Sequence, residues 1–313
     1  MQRRDVLLAG AALAMAARPA VAQAMDIAII GFQMSSETHA RAANAAAAAA
    51  RAKGWTATVL NSEGALPRHA EQLDTLIGRR PKAIIACMSR PVEMEAQFQR
   101  AKAAGIPVIT VMSGASTHNL FDIQVNEYKV GADAALWLLG ELGYQGNILT
   151  QRFEGNVGTR IRGKVLDAVL SENTGVRVLG SHTMARTASW RDDVRQGFQP
   201  LLLRFGAQTQ GIWASFDGQA FVIDDLLKAR GVRKGQVKLV SIDGGAETYR
   251  RIADPESTLM ATVTIPFEEM GTRAVEALER IVVKGERKEA ITSGPYLFMD
   301  AFLVDANNVR QHL

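Results

Sequence analysis

Short, almost wholly apolar runs rich in β-branched residues alternate along the chain with longer segments whose apolar residues recur at helical spacing. The runs are Ile27 to Phe32, Thr56 to Asn61, Ala83 to Met88, Val108 to Met112, Asn147 to Thr150, Val176 to Ser181, Gly211 to Ala214, Val237 to Ile242 and Leu259 to Val263. Most are continuous rather than alternating, as strands covered on both faces should be, and helical segments between them predict parallel sheets. Helices are predicted over Thr38 to Lys53, Leu66 to Arg79, Val92 to Ala104, Tyr128 to Leu142, Gly158 to Glu172, Trp190 to Phe205, Gly218 to Arg230, Ala246 to Ile252 and Phe267 to Lys284. Gly54, Gly105, Gly143, Gly231 and Gly285 fall just past helix ends, where a left-handed residue is needed. The alanine run Ala45 to Ala50 sits inside a strand-helix unit and reads as a packed helix. Four such units precede Asn126 and about four follow it, with no Pro/Ser-rich linker between them. The expected fold is therefore α/β, with two doubly wound parallel-sheet lobes that bind a ligand beyond the carboxyl ends of their strands.

The first residues change how the charge is read. Met1-Gln-Arg-Arg-Asp5 is a basic start, Val6 to Ala17 is an uncharged run of 12 residues, and Ala22-Gln23-Ala24 is a small-x-small cleavage site. Residues 1–24 thus read as an export signal to the periplasm, and the Arg3-Arg4 pair resembles the twin-arginine type. The whole chain has 313 residues with 36 basic and 32 acidic side chains, or +4; without Arg3, Arg4, Arg18 and Asp5, residues 25–313 carry 33 and 31, or +2. That near-neutral balance removes the charge argument for a nucleic-acid partner. The single cysteine, Cys87, lies in an apolar run and reads as an unreactive core thiol, with no internal disulfide available.

No enzyme signature is present. The chain has no Gly-x-Gly-x-x-Gly after its first strand, no Gly-x-x-x-x-Gly-Lys-Ser/Thr, no Gly-x-Ser-x-Gly and no His-Glu-x-x-His. Gly155, Gly158 and Gly163 fit none of these spacings and read as the loop leading into a helix. His39, His69, His118, His182 and His312 lack metal-ligand spacing; His69 and His182 read as surface residues, whereas His39 and His118 lie near strand ends. No cofactor or metal is expected, and an enzyme stays possible but unsupported, to be told from a binding protein by turnover of its ligand.

Several segments together resemble the periplasmic sugar-binding proteins of the ribose-binding type, the solute receptors of ABC transporters. Ala104-Gly-Ile-Pro-Val-Ile-Thr-Val111 is similar to the family's fourth-strand motif and Val240-Ser-Ile-Asp-Gly-Gly245 to its aspartate turn. Leu259-Met-Ala-Thr-Val263, with Met270-Gly271 and Val283-Lys-Gly-Glu286, is similar to its last crossover. The resemblance implies the type I periplasmic binding protein fold: two lobes joined by a three-strand hinge, with crossings near Asn126, Ile265 and the segment around Gly294. One lobe would take residues 25–125 and 265–293, the other 126–264 and 294–313. It also implies a monomer that closes on a small ligand and docks on a membrane permease and its ATPase. A periplasmic sensor for a chemoreceptor or sensor kinase needs the same two lobes and stays open, as does a non-sugar metabolite as ligand. A transcription repressor of this core would need a helix-turn-helix before residue 60, where the export signal leaves no room.

Carried over residue by residue, the resemblance matches Arg160 to the arginine that holds sugar hydroxyls, Trp190 to the aromatic that stacks on the ring, and Asp243 to the acid after the aspartate-turn strand. An apolar sugar face on a flat aromatic with ionised groups around the edge is what such a site requires. Each has a plainer reading: Arg160 as a surface helix residue, Trp190 as a packing aromatic, Asp243 as a turn residue before two glycines. Asn126 falls at the first crossing, and Asp217 fits either a helix-start cap or a binding role. The departures lie mostly on the N-terminal lobe. Phe32-Gln33-Met34-Ser35-Ser36-Glu37-Thr38-His39 replaces the family's pattern after the first strand, and Met112-Ser113 stands where the family has Asp-Arg. Phe216 replaces an Asn and Ile265 a Gln. The N-terminal lobe has lost its charged clamp, which predicts a polyol, deoxy sugar or other small polar ligand with fewer hydroxyls on that side, met by Gln33, Ser36, Glu37, His39 and Ser113.

Overall fold

The computed structural model describes residues 25–185 and 189–313; the export-signal segment 1–24 lies outside the described residues. The first lobe begins β1 (Asp26–Gly31), α1 (Glu37–Ala52), β2 (Thr56–Asn61), α2 (Leu66–Arg79), β3 (Ala83–Cys87), α3 (Glu95–Ala103), β4 (Val108–Val111) and β5 (Asp122–Gln124). The second runs α4 (Glu127–Glu141), β6 (Gly146–Arg152), α5 (Val157–Glu172), β7 (Val176–Thr183), α6 (Trp190–Phe205), β8 (Gly211–Ala214), α7 (Asp217–Ala229), β9 (Lys238–Asp243), α8 (Ala246–Ala253) and β10 (Leu259–Thr264). The chain then returns through α9 (Phe267–Leu278) and β11 (Tyr296–Phe298) before ending in β12 (Phe302–Asp305).

Two six-stranded sheets result, ordered β11-β5-β4-β3-β1-β2 and β12-β10-β9-β8-β6-β7. Every neighbouring pair is parallel except β10 with β12. The chain passes between sheets at 125–126, at 265–266 and at 299–301. The third passage lies beyond the Gly294 segment, because Tyr296 to Phe298 pair with Asp122 to Gln124 and so extend the first sheet. The three strands without counterpart in the sequence pattern, β5, β11 and β12, hold only 3, 3 and 4 residues. The last helix also stops earlier than its pattern, at Leu278, where a wide turn over Glu279–Val283 takes over.

Continuous apolar runs follow from double coverage. In β1, Ile27 and Ile29 join the core under α1 and α9, while Ala28 and Ile30 join the core under α2 and α3. Each such isoleucine contributes roughly 1.5–3 kcal/mol by leaving water. The alanine run has a steric reason: Ala42, Ala43, Ala46, Ala47 and Ala50 form the buried stripe of α1, against which α9 lies so closely that a Cβ on Gly271 would sit 2.3 Å from the Ala42 carbonyl oxygen. Cys87 is fully buried, and burial pushes its thiol up to about 12, an unreactive state.

Candidate ligand-binding cleft

The carboxyl ends of β6, β8 and β9 bring together the most unusual side chains of the second lobe. Arg162, 3% exposed, projects from the first turns of α5. Its Nε and Nη2 donate to Glu127 Oε2 and Oε1 at 2.6 and 3.0 Å, and its Nη1 donates to the Ser215 carbonyl at 3.0 Å and to Asp243 Oδ1 at 3.3 Å. Glu127 opens α4 directly after the first interlobe passage. This fork-on-fork geometry depends on α5 lying close over α4: a Cβ on Gly131 would fall 2.9 Å from Arg162 Cα, and one on Gly158 would fall 2.9 Å from the Glu127 carboxyl carbon. Glycine at both places lets the guanidinium reach its partners.

Asp243 ends β9 with a left-handed φ of 136° and is 8% exposed. Burial pushes its carboxyl up to about 8, against the attraction of Arg162 and with help from the nearby Asp217 and Glu127 carboxylates. For Arg162, burial acts to lower the pKa, and Glu127 and Asp243 outweigh it, so the guanidinium stays charged. Among the described residues the Asp243 side chain accepts only the 3.3 Å bond from Arg162. That leaves acceptor capacity for a hydroxyl donor, and a carboxylate with an adjacent guanidinium can grip vicinal hydroxyls as acceptor and donor together. Beside them, Trp190 and Phe216 meet edge to face with centroids 5.5 Å apart, and Phe153 meets Phe216 at 6.2 Å. Arg191 covers Trp190 at 4.3 Å. The arrangement is a polar cluster flanked by partly exposed aromatics.

The structure brings Trp190, Phe216 and Asp243 to this lobe's strand ends, but gives other places to several expected residues. Arg160 turns away and donates to the Glu154 carbonyl at 2.7 Å; it is Arg162 that reaches Asp243. Asp217 is buried and accepts from Ser241 Oγ, Thr248 Oγ1, Thr262 Oγ1 and the Gly244 amide, so it is a strut under the Asp243 turn. Its carboxyl is pushed up by burial, opposed by those same bonds. Asn126 is exposed and caps α4 through bonds from the Tyr128 and Lys129 amides. Ile265 is fully buried and packs in the hinge core. Glu127 and Arg162 are the members that sequence reasoning missed. The signal for Arg162 was helical phase: it shares the buried stripe of α5 with Thr159, Gly163 and Leu166, whereas Arg160 does not.

On the facing lobe, Phe32 is buried edge-on to His69, and the Gln33 amide donates to His39 Nδ1 at 3.2 Å. Ser36 stands at the start of α1 with its hydroxyl 3.3 Å from that of Thr38. Glu37 follows it, and Glu37 and Arg41 reach the opposite lobe, with Arg41 Nη1 donating to the Gly244 carbonyl at 2.5 Å. Met112 and Ser113 follow β4 directly. His69 is fully buried rather than on the surface, held between the Ser62 and Ser89 hydroxyls at 2.6 Å each. Burial depresses its pKa to about 4, and that of His39 equally.

Comparison with known proteins agrees with this architecture. Residues 27–287 match the periplasmic binding protein domain. A xylitol-binding protein of Mycolicibacterium smegmatis is 32% identical over 178 residues, 56% of this chain and about half (49%) of that protein's length. A D-apiose import binding protein of Paraburkholderia graminis is 26% identical over 289 residues, covering 90% of this chain and 89% of the relative. Among solved structures, an ABC transporter solute-binding protein from Agrobacterium vitis with bound allitol superposes with a TM-score of 0.81 at 23% identity, over 93% of this chain and 98% of that one. With two six-stranded lobes, three passages between them and this match over most of its length, the chain belongs to the family of periplasmic binding proteins.

Proposed function

We propose that the protein is the exported solute receptor of an ABC transporter, capturing a polyol or similar small polyhydroxylated compound between its lobes in the periplasm and handing it to a membrane permease. The observation that carries this reading is the Arg162–Asp243 pair beside Trp190 and Phe216: a guanidinium donor and a carboxyl acceptor for hydroxyls next to aromatic faces for carbon-bound hydrogens. Three relatives point the same way, being named for xylitol, for D-apiose and for bound allitol. Binding would close the cleft because ligand touching both walls stabilises the closed arrangement over the open one.

A thermal-shift panel of pentitols, hexitols, pentoses, amino acids and nucleosides tests the proposal. A ligand at about 100 times its Kd stabilises by roughly 2.7 kcal/mol. A shift confined to polyols or sugars, lost in Asp243→Ala, supports it; a shift for amino acids or nucleosides alone overturns the ligand class.

A further inference from the structure

The carboxyl ends of the first sheet, which meet the second lobe where Arg41 and Arg90 donate to the Gly244 and Gly155 carbonyls, carry three thioethers. In the first sheet β4, β3 and β1 are consecutive neighbours, and each is followed at its carboxyl end by a methionine: Met112, Met88 and Met34. Met88 and Met112 follow their strands directly, next to each other in register, and both adopt a left-handed backbone, with φ of 53° and 49°. Met34 and Met112 are partly exposed, and both pack against the hydrophobic core to which Met88 belongs.

Several polar groups beside Met112 are committed elsewhere. The Ser113 hydroxyl lies 3.2 and 3.0 Å from the Ala86 and Val111 carbonyls and accepts from the Ser89 amide at 2.8 Å. The Ser89 hydroxyl is bonded to His69, and the Ser113 and Gly114 amides donate to the buried Asp122 carboxylate. The Gln33 side chain packs over Gly64, on the side of β2. A ligand hydroxyl facing Met112 therefore finds polarizable sulfur and methyl groups where it would need a strong partner.

We propose that this wall is a subsite for an apolar end of the ligand, so that the preferred solute is a polyhydroxylated chain carrying a terminal deoxy, alkyl or methylthio group: hydroxyls toward Arg162 and Asp243, the apolar end against Met112. The proposal rests on the cleft being the ligand site, and it narrows the class of compound.

Calorimetric titration with xylitol, its 5-deoxy analogue and its 5-methylthio analogue tests it. The deoxy compound should bind about fivefold or more tighter than xylitol, and the methylthio compound tighter again by roughly fourfold for its added apolar group. Met112→Leu should keep this order. Met112→Asn, whose side chain suits the left-handed backbone, should favour xylitol, shifting the ratio by about tenfold or more. If xylitol binds as well as or better than both analogues in the wild type, or Met112→Asn leaves the ratio unchanged, the subsite is wrong while the cleft stands. If none of the three binds but another polyhydroxylated compound does, that compound and its terminal deoxy analogue take their place: tighter binding of the deoxy form supports the subsite, and equal or weaker binding overturns it. If no polyhydroxylated compound binds, the cleft assignment fails and the subsite falls with it.

Discussion

Replacing Asp243 by asparagine should stabilise the ligand-free protein while weakening ligand capture. Asp243 is 8% exposed and its carboxyl is pushed up by burial to about 8, from an ordinary value of 3.8. Folding therefore takes up a proton across that interval, and the group's contribution to stability falls as pH rises from about 4 to 8, by up to roughly 1.4 kcal/mol per pH unit. At pH 7 the ceiling on this cost is about 4 kcal/mol. Asparagine keeps the shape and the carbonyl that accepts from Arg162 but never ionises. Arg162 would not be stranded, because Glu127 holds it through two bonds and Ser215 through a third. We therefore expect a net gain of about 1–3 kcal/mol at pH 7, below the ceiling because burying the larger amide dipole carries its own desolvation cost. That corresponds to a rise in melting temperature of roughly 2 °C or more. The assay is thermal or urea unfolding of both proteins, without ligand, from pH 5 to 8. The gap in favour of Asp243→Asn should widen with pH; a constant gap, or a less stable variant at pH 8, would refute the reasoning.

Three further outcomes follow from the same geometry. His69 is fully buried with its pKa depressed to about 4, so its contribution is present above about pH 6.5 and is lost as pH falls toward 4, by up to roughly 3 kcal/mol; His69→Gln should unfold with a flatter profile over that acid window. Gly131→Ala should cost about 1–3 kcal/mol in urea unfolding, since its methyl would press on Arg162 Cα, and should weaken ligand binding by displacing that side chain. Trp190→Ala should reduce affinity about tenfold or more in calorimetry with native circular dichroism, and Trp190→Phe should recover part of it; full affinity in Trp190→Ala would remove that ring from the site.

The sequence was most legible where burial is two-sided. Strands such as Ala83–Cys87, buried at every position, announce themselves as unbroken apolar runs, and the alternation with helices then dictates a parallel sheet. The strands β5, β11 and β12 carry no such signal: Tyr296–Phe298 is only part-buried, and its strand character comes from pairing with Asp122–Gln124, a contact between residues far apart in the chain. The same distinction governs the cleft. Trp190 and Asp243 are reached through the family resemblance, which matches an aromatic at a helix start and an acid before Gly244-Gly245. Glu127 is not, because an acid in the first turn of a helix reads equally well as a dipole complement, and only the close crossing of α4 and α5 turns it into Arg162's partner. His69 was misread for the complementary reason: its burial is made possible by serine hydroxyls from two different strand ends.

The central claim, that the cleft between the lobes binds a polyhydroxylated solute, is tested most directly by a crystal structure of the protein grown with the best polyol or sugar from the thermal-shift panel. The compound should lie between the two sheets, with hydroxyls within hydrogen-bond distance of Arg162 and Asp243 and carbon-bound hydrogens against Trp190 or Phe216. A ligand bound elsewhere, or in the cleft without contact to either Arg162 or Asp243, would contradict it.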